Sequence, residues 1–257
     1  MKGPQSTFSQ FFAGVVLLGR GLGMYVSNPR LLLLGIIPAL ISGLLFLAAY
    51  GTLIYFVSDL ADLLTPFADN WSEGMRDLIR FAVAAALLGV GGLVGVLVFT
   101  AVTLLIGDPF YEKISEKVEE RFGGVPNQID VPWWVSLRHS LFDSLRLVLM
   151  SLLVGIPLFV AGFIPVVGQT VIPVIAAVIG GWFLAVELVA APFYRRGLRL
   201  PDRRALLKAN RPLALGFGVS VFCCFLIPLG AVLVMPAAVA GGTLLARRVF
   251  GLPTESA

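Results

Sequence analysis

Residues 212–246 read PLALGFGVSVFCCFLIPLGAVLVMPAAVAGGTLLA, 35 residues without a charge, between Arg211 and Arg247. One membrane-crossing helix takes roughly 20 apolar residues. The stretch is too long for one crossing and too short for two with a turn. Pro228 and Pro236 interrupt it, and an interior proline removes a helical hydrogen bond and clashes with the turn before it. The reading is therefore a hairpin: an entering helix of about 15 residues and a returning helix of similar length. At roughly 1.5 Å per residue each leg reaches about 22 Å, short of a hydrocarbon core of about 30 Å. The turn, Ile227-Pro228-Leu229-Gly230-Ala231, is apolar, whereas a loop that emerges into water is polar. The tip is expected to stop inside the bilayer, where irregular backbone must be packed in protein or line a wet cavity.

Three more uncharged runs precede it: 31–58, 81–107 and 147–186. The composition agrees, with 58% hydrophobic and 13% charged residues and a mean hydropathy of +0.94. That excludes an ordinary water-soluble domain. Run 147–186 has 40 residues and turns through Phe163-Ile164-Pro165-Val166-Val167-Gly168-Gln169-Thr170, so it reads as a second hairpin of the same kind. The expected fold is an all-α integral membrane protein. Two long transmembrane helices (31–57 and 81–106) stand beside two Pro-broken, partly penetrating re-entrant hairpins (147–194 and 213–246), in a single membrane domain over 1–257. Thr7–Tyr25 is expected as an interfacial helix, 108–146 as a cytoplasmic helical segment, and 195–212 as a basic cytoplasmic connector. The polar start, Met1 to Thr7, carries no short apolar core with a cleavage site, and no cleavage is expected.

The basic residues set the orientation. All but Arg76 and Arg80 of the 19 Lys and Arg fall in 1–30, 108–146, 195–212 and 247–257. These segments are expected inside, with both termini cytoplasmic and 59–80 outside, in a cell (inner or plasma) membrane. Residues 195–212 either meet anionic headgroups or only enforce this topology. Trp133 and Trp134 read as interface anchors. Phe110 to Arg121 reads as a helix that extends the second crossing, ended by Gly123-Gly124.

Enzyme chemistry has little to work with. His139 is the single histidine, which removes His-based metal clusters and triads. No phosphate-binding loop of the P-loop type occurs. Adjacent Cys223 and Cys224 read as small buried hydrophobes. No metal, cofactor or nucleic acid is expected. Glu187 lies among apolar residues and calls for a partner, Arg195 or Arg196 or another nearby base, in a structural or a functional pair. Ser27-Asn28-Pro29-Arg30 precedes the first crossing: Ser27 or Asn28 suits an N-cap and Pro29 the first helical position. Free N–H groups, the positive dipole end and Arg30 together make an oxyanion site there, or the motif is a plain cap. The hairpins share a faint repeat: Pro165 to Pro173 and Pro228 to Pro236 are both spaced by eight, with Gly180-Gly181 and Gly241-Gly242 after them. Such pairs mark substrate paths in transporters, or two similar hairpins need similar turns.

With these segments placed, the chain resembles the CysZ sulfate permease family, within the wider etoposide-induced membrane protein superfamily. Three stretches carry the resemblance: Asn28-Pro29 with Pro38; Gly107-Asp108-Pro109-Phe110 with Glu116 and Glu119 downstream; and Phe163 to Pro173 with Ala191-Pro192-Phe193 and Met235 to Thr243. The resemblance implies two long helices, two partly penetrating hairpins, oligomerisation, and sulfate uptake feeding cysteine synthesis without ATP. Family members typically carry paired arginines a few residues after the first proline; Leu32 and Leu33 stand there in this chain. The expected assignment is a permease for sulfate or a related oxyanion, not an enzyme, acting as a homo-oligomer among membrane lipids. Asn28, Pro29 and Arg30 are the expected anion turn. Gly107, Asp108, Pro109, Phe110 and Glu116 shape the cytoplasmic mouth, and Pro165, Gly168, Gln169, Pro173, Pro228 and Pro236 form the hairpin turns. The rival class is a non-transporting scaffold or bilayer-shaping protein of the same fold.

Overall fold

The computed structural model describes the backbone of residues 6–126 and 133–255, and the side chains of all these except 133–141 and 144. Trp133, Trp134 and His139 therefore lie outside the described side chains. The described chain is helical throughout: α1 (Thr7–Ser27), α2 (Pro29–Leu64), α3 (Glu73–Arg121), α4 (Trp133–Ala161), α5 (Val167–Leu188), α6 (Ala190–Tyr194), α7 (Leu200–Ala209), α8 (Arg211–Phe225) and α9 (Gly230–Val249), with a 3-10 turn at Pro66–Ala68. Five of these, α1, α2, α3, α5 and α9, are long and apolar enough to cross a membrane. Two compact units result: Ile36–Asp108, and Met1–Gly35 with Pro109–Ala257.

In the first unit, α2 and α3 meet through large side chains of one helix set on glycines of the other. Leu53 lies over Gly91, Tyr50 over Gly92 and Phe46 over Gly95, and the Tyr50 hydroxyl donates to the Leu88 carbonyl at 3.0 Å. Most other side chains of the pair are exposed, Leu93 at 70% and Leu97 at 67% among them. Aliphatic faces this open are unsustainable in water and ordinary in lipid.

The second unit is built on two helical hairpins, α4–α5 and α8–α9, with α1 laid along α8 and α9. Its seams are glycine. A side chain at Gly14 would strike the α8 backbone at Leu213 and Phe217, one at Gly216 the backbone of Phe11, and one at Gly21 that of Ala237 and Gly241. Gly181 and Gly218 join α5 to α8 in the same way. Lipid tails are as apolar as leucine, so helices in a membrane adhere by close van der Waals packing, which small residues permit. α9 lies at the centre, with Ala237, Ala238, Ala240, Leu244 and Leu245 fully buried.

Both hairpin turns fall where the sequence puts them. Gly162–Val166 links α4 to α5, and Leu226–Leu229 links α8 to α9. Each closes on a non-glycine residue with positive φ, Val166 at 66° and Leu229 at 62°. At Val166 the Val167 N–H donates to the Pro165 carbonyl at 2.7 Å, a tight γ-turn of the strained sign. Gly168 and Gly230 follow, and a Cβ at either would meet the carbonyl of Gly162 or Cys224.

Several expectations are corrected. Pro173 and Pro236 do not break the returning legs: both lie inside continuous helices, α5 of 22 and α9 of 20 residues. Each proline forfeits one bond to a carbonyl four residues back, a loss tolerated where neighbouring helices hold the segment. The returning legs are therefore about 33 and 30 Å long. The entering legs are shorter, Leu145–Ala161 in α4 and the 15-residue α8. The boundary drawn at 146/147 falls inside continuous α4. Cys223 is exposed and Cys224 half-buried, rather than both buried.

Candidate functional site

The α1–α2 junction is a single residue, Asn28, at φ −115° and ψ 107°. Its side-chain Oδ1 accepts the Arg30 N–H at 3.1 Å and its carbonyl accepts the Leu32 N–H at 3.0 Å. The Ser27 hydroxyl turns back to the Met24 carbonyl instead, so Asn28 is the cap. Pro29, the first helical residue, has no N–H. The expected row of free N–H groups is thus reduced to that of Leu31 among the described residues. What the turn offers an anion is the dipole end of α2 and the guanidinium of Arg30, which is exposed and meets no described acid. Leu33 is 59% exposed and adds no charge. Farther along α2, Gly35 packs against the Tyr25 hydroxyl and the ring of Pro236 of the second hairpin, which holds the start of α2 to that hairpin.

A second cluster lies at the end of α3. Tyr111, Ile114, Ser115, Val118 and Glu119 are buried, the 3–4 stripe of a helix face. Glu119, 1% exposed, takes Arg196 of the α6–α7 link at 2.7 Å and Arg247 of α9. Arg247 also donates to the carbonyls of Gly124 at 3.0 Å and Pro253 at 2.9 Å, so one guanidinium ties the chain end, α3 and α9 together. Gly123 and Gly124, at φ 95° and 76°, stop α3 and turn the Gly124 carbonyl toward it. Arg195 donates to Ser115 Oγ at 3.1 Å and to the Glu112 carbonyl at 2.8 Å; burial pulls its pKa below the ordinary arginine value.

Arg203 of α7, fully buried, anchors the third group. It faces Asp143 at 3.8 Å and Glu187 at 4.0 Å. It also donates to the Tyr194 hydroxyl at 3.0 Å, which itself donates to Asp143 at 3.1 Å. Burial, above all, pushes the Tyr194 phenol up to about 12. Glu187 therefore has Arg203 among its partners, because α7 folds back across the end of α5.

The motif residues divide. Gly107, Asp108, Pro109 and Phe110 sit within unbroken α3. Glu116 is peripheral: it pairs with Lys113 at 2.6 Å, and the hydrogen bond from Lys113 holds its carboxyl below the usual range. Glu119 is the central acid. Its phase with Ile114, Ser115 and Val118 was the available signal. No described contact joins Arg30 to Pro109, Phe110 or Glu116.

A family model described as "Sulfate transporter CysZ/Etoposide-induced protein 2.4" matches residues 17–236. Relatives called "Sulfate transporter CysZ" include one from Pseudomonas paraeruginosa, 30% identical over 90% of this chain and 93% of its own. One from Pseudomonas syringae pv. tomato is 29% identical over 89% and 86%, and one from Vibrio parahaemolyticus is 34% identical over 56% and 60%. With the family model covering residues 17–236 and a 30% identical relative matched over 90% of this chain, this multi-pass membrane protein belongs to the CysZ/etoposide-induced protein 2.4 family.

Proposed function

We propose that the chain is a membrane permease for sulfate or a related oxyanion, not driven by ATP and not an enzyme. The supporting observation at the site is the Asn28–Arg30 turn: a capped helix start with an exposed arginine that meets no described acid. An oxyanion there gains the dipole end of α2 and one guanidinium, a pairing suited to weak, reversible capture. Both termini lie in the cytoplasm and the membrane is the inner or plasma membrane, in keeping with the basic segments. The protein works as a homo-oligomer among lipids. The exposed apolar tips, Phe163 at 75% and Val166 at 71%, with Leu226 at 69% and Ile227 at 62%, support hairpins that end within the bilayer. Gly107, Asp108, Pro109, Phe110 and Glu116 shape the cytoplasmic mouth.

The test is uptake of labelled sulfate into proteoliposomes holding the purified protein. Saturable uptake is expected, with Arg30→Ala raising the apparent KM severalfold, since one exposed charge-assisted contact is lost. Unchanged uptake in that variant removes the turn from the mechanism. No uptake of sulfate, thiosulfate or sulfite favours the scaffold, the reading that Leu32 and Leu33 support by leaving Arg30 as the single cation of the turn.

A further inference from the structure

Between α4 and α5, floored by α8, runs a groove of about 920 Å3. It extends along α5 from Gly168 to Glu187, about 28 Å of helix, so it is longer than the roughly 15 Å hydrocarbon half-thickness of one leaflet. Its walls are aliphatic and aromatic, and two of its turn-end residues, Phe159 and Phe163, are 70% and 75% exposed. The groove thus opens outward to its surroundings rather than being sealed in the bundle.

The opposite end is cationic. Leu147 and Ser151 of α4 line it, and Met150 between them takes Arg204 of α7 at 3.3 Å from its sulfur. Arg146 lies one turn before Met150 on the same α4 face and is exposed, as are Arg204 and Lys208. The acids nearby are already engaged: Glu187 and Asp143 by Arg203, Asp143 also by Arg199 at 3.6 Å, and Asp202 by the Arg199 N–H at 2.9 Å. Among the described residues no acid pairs with Arg146, Arg204 or Lys208. A long apolar groove that ends beside exposed cations has the charge and shape of one ligand class.

We propose that this groove is a binding site for an anionic glycerophospholipid, its phosphate held between Arg146 and Arg204 near Lys208 and an acyl chain laid between α4 and α5. The site is separate from the anion turn and does not rest on the transport assignment. It makes the bound lipid part of the wall of the first hairpin, where α4 and α5 leave their facing sides unfilled.

The experiment is thermal stabilisation of the detergent-purified full chain, titrated with phosphatidylglycerol, with phosphatidylcholine of the same chains, and with inorganic phosphate. Phosphatidylglycerol is expected to raise the melting temperature at low concentration, and phosphatidylcholine to need far more. Arg146→Gln with Arg204→Gln should weaken apparent affinity for phosphatidylglycerol about 30-fold, two cations at roughly 1 kcal/mol each. Gly155 lines the groove and a Cβ there meets open space; Gly155→Leu therefore fills the groove without straining the helix and should abolish stabilisation by the lipid. Equal stabilisation by both lipids, or by inorganic phosphate alone, overturns the proposal, as does an undiminished response in Gly155→Leu. A loss of oligomeric mass in Gly155→Leu would give the groove to a second copy of the chain and overturn it too.

Discussion

Replacing Glu119 by Gln tests the ionic centre of the larger unit. The amide keeps the shape and one acceptor oxygen but removes the charge that Arg196 and Arg247 share. The carboxylate is 1% exposed and Arg247 likewise 1%, so water cannot replace it. Removing one partner of a buried ion pair costs about 3–5 kcal/mol, because the remaining charge is left without compensation. For a chain of 257 residues, at about 2–4 °C per kcal/mol, the melting temperature should fall by about 6–20 °C. The assay is intrinsic tryptophan fluorescence on heating in detergent, beside Glu116→Gln as control. Glu116 is three residues away but only half-buried, and its bridge to the exposed Lys113 is the kind that contributes little; the control should melt essentially where the parent does. Arg196→Leu added to Glu119→Gln should recover part of the loss, since one unpaired cation is then gone. If Glu119→Gln and Glu116→Gln melt together, the buried cluster does not hold α3 to α9, and the argument from burial fails.

Three further outcomes follow from the packing. Gly216→Leu drives a side chain into the Phe11 backbone and should destabilise by at least about 1–3 kcal/mol, read as a lower melting temperature and faster proteolysis of α1. Leu229→Gly relieves a positive-φ residue, worth roughly 1 kcal/mol against glycine's own entropy cost; a higher melting temperature is expected, and a lower one shows that the Leu229 side chain matters more than its backbone. The Tyr194 phenol titrates near pH 12 in the folded chain against about 10 unfolded. The folded state favours the protonated phenol, so its contribution is complete below pH 10 and lost as pH rises toward 12. Tyr194→Phe should remove that part of the alkaline decline, checked by tyrosinate absorbance and melting temperature from pH 9 to 12.

The two hairpins could be read in the sequence because lengths of uncharged runs are fixed by the bilayer, and because Ile-Pro pairs at 164–165 and 227–228 mark both turns. Pro173 and Pro236 misled for a physical reason: a proline costs one backbone bond, and the rest of the helix carries that loss both at Pro236, buried in the bundle core, and at Pro173, exposed on α5. The Asn28 cap was legible from residue type. How many N–H groups the cap itself consumes was not, since that depends on which way the carboxamide turns. Glu116 and Glu119 differ only in helical phase, and the burial of one followed from α9 and the α6–α7 link, contributed by residues more than 70 positions away. Glu187 had its charge written plainly, but its partner depended on α7 folding back.

The glycine seam has a mechanical meaning. Where Gly14 meets Gly216 and Gly21 meets Gly241, main chain lies on main chain with no side chain between to tilt, flip or slide. A joint of that kind moves only by separating. The first helix and the second hairpin must therefore travel as one piece in any working cycle. Asn28, a single extended residue between α1 and α2, belongs to that piece as well, and Gly35, set against Tyr25 and Pro236, keeps Arg30 with it.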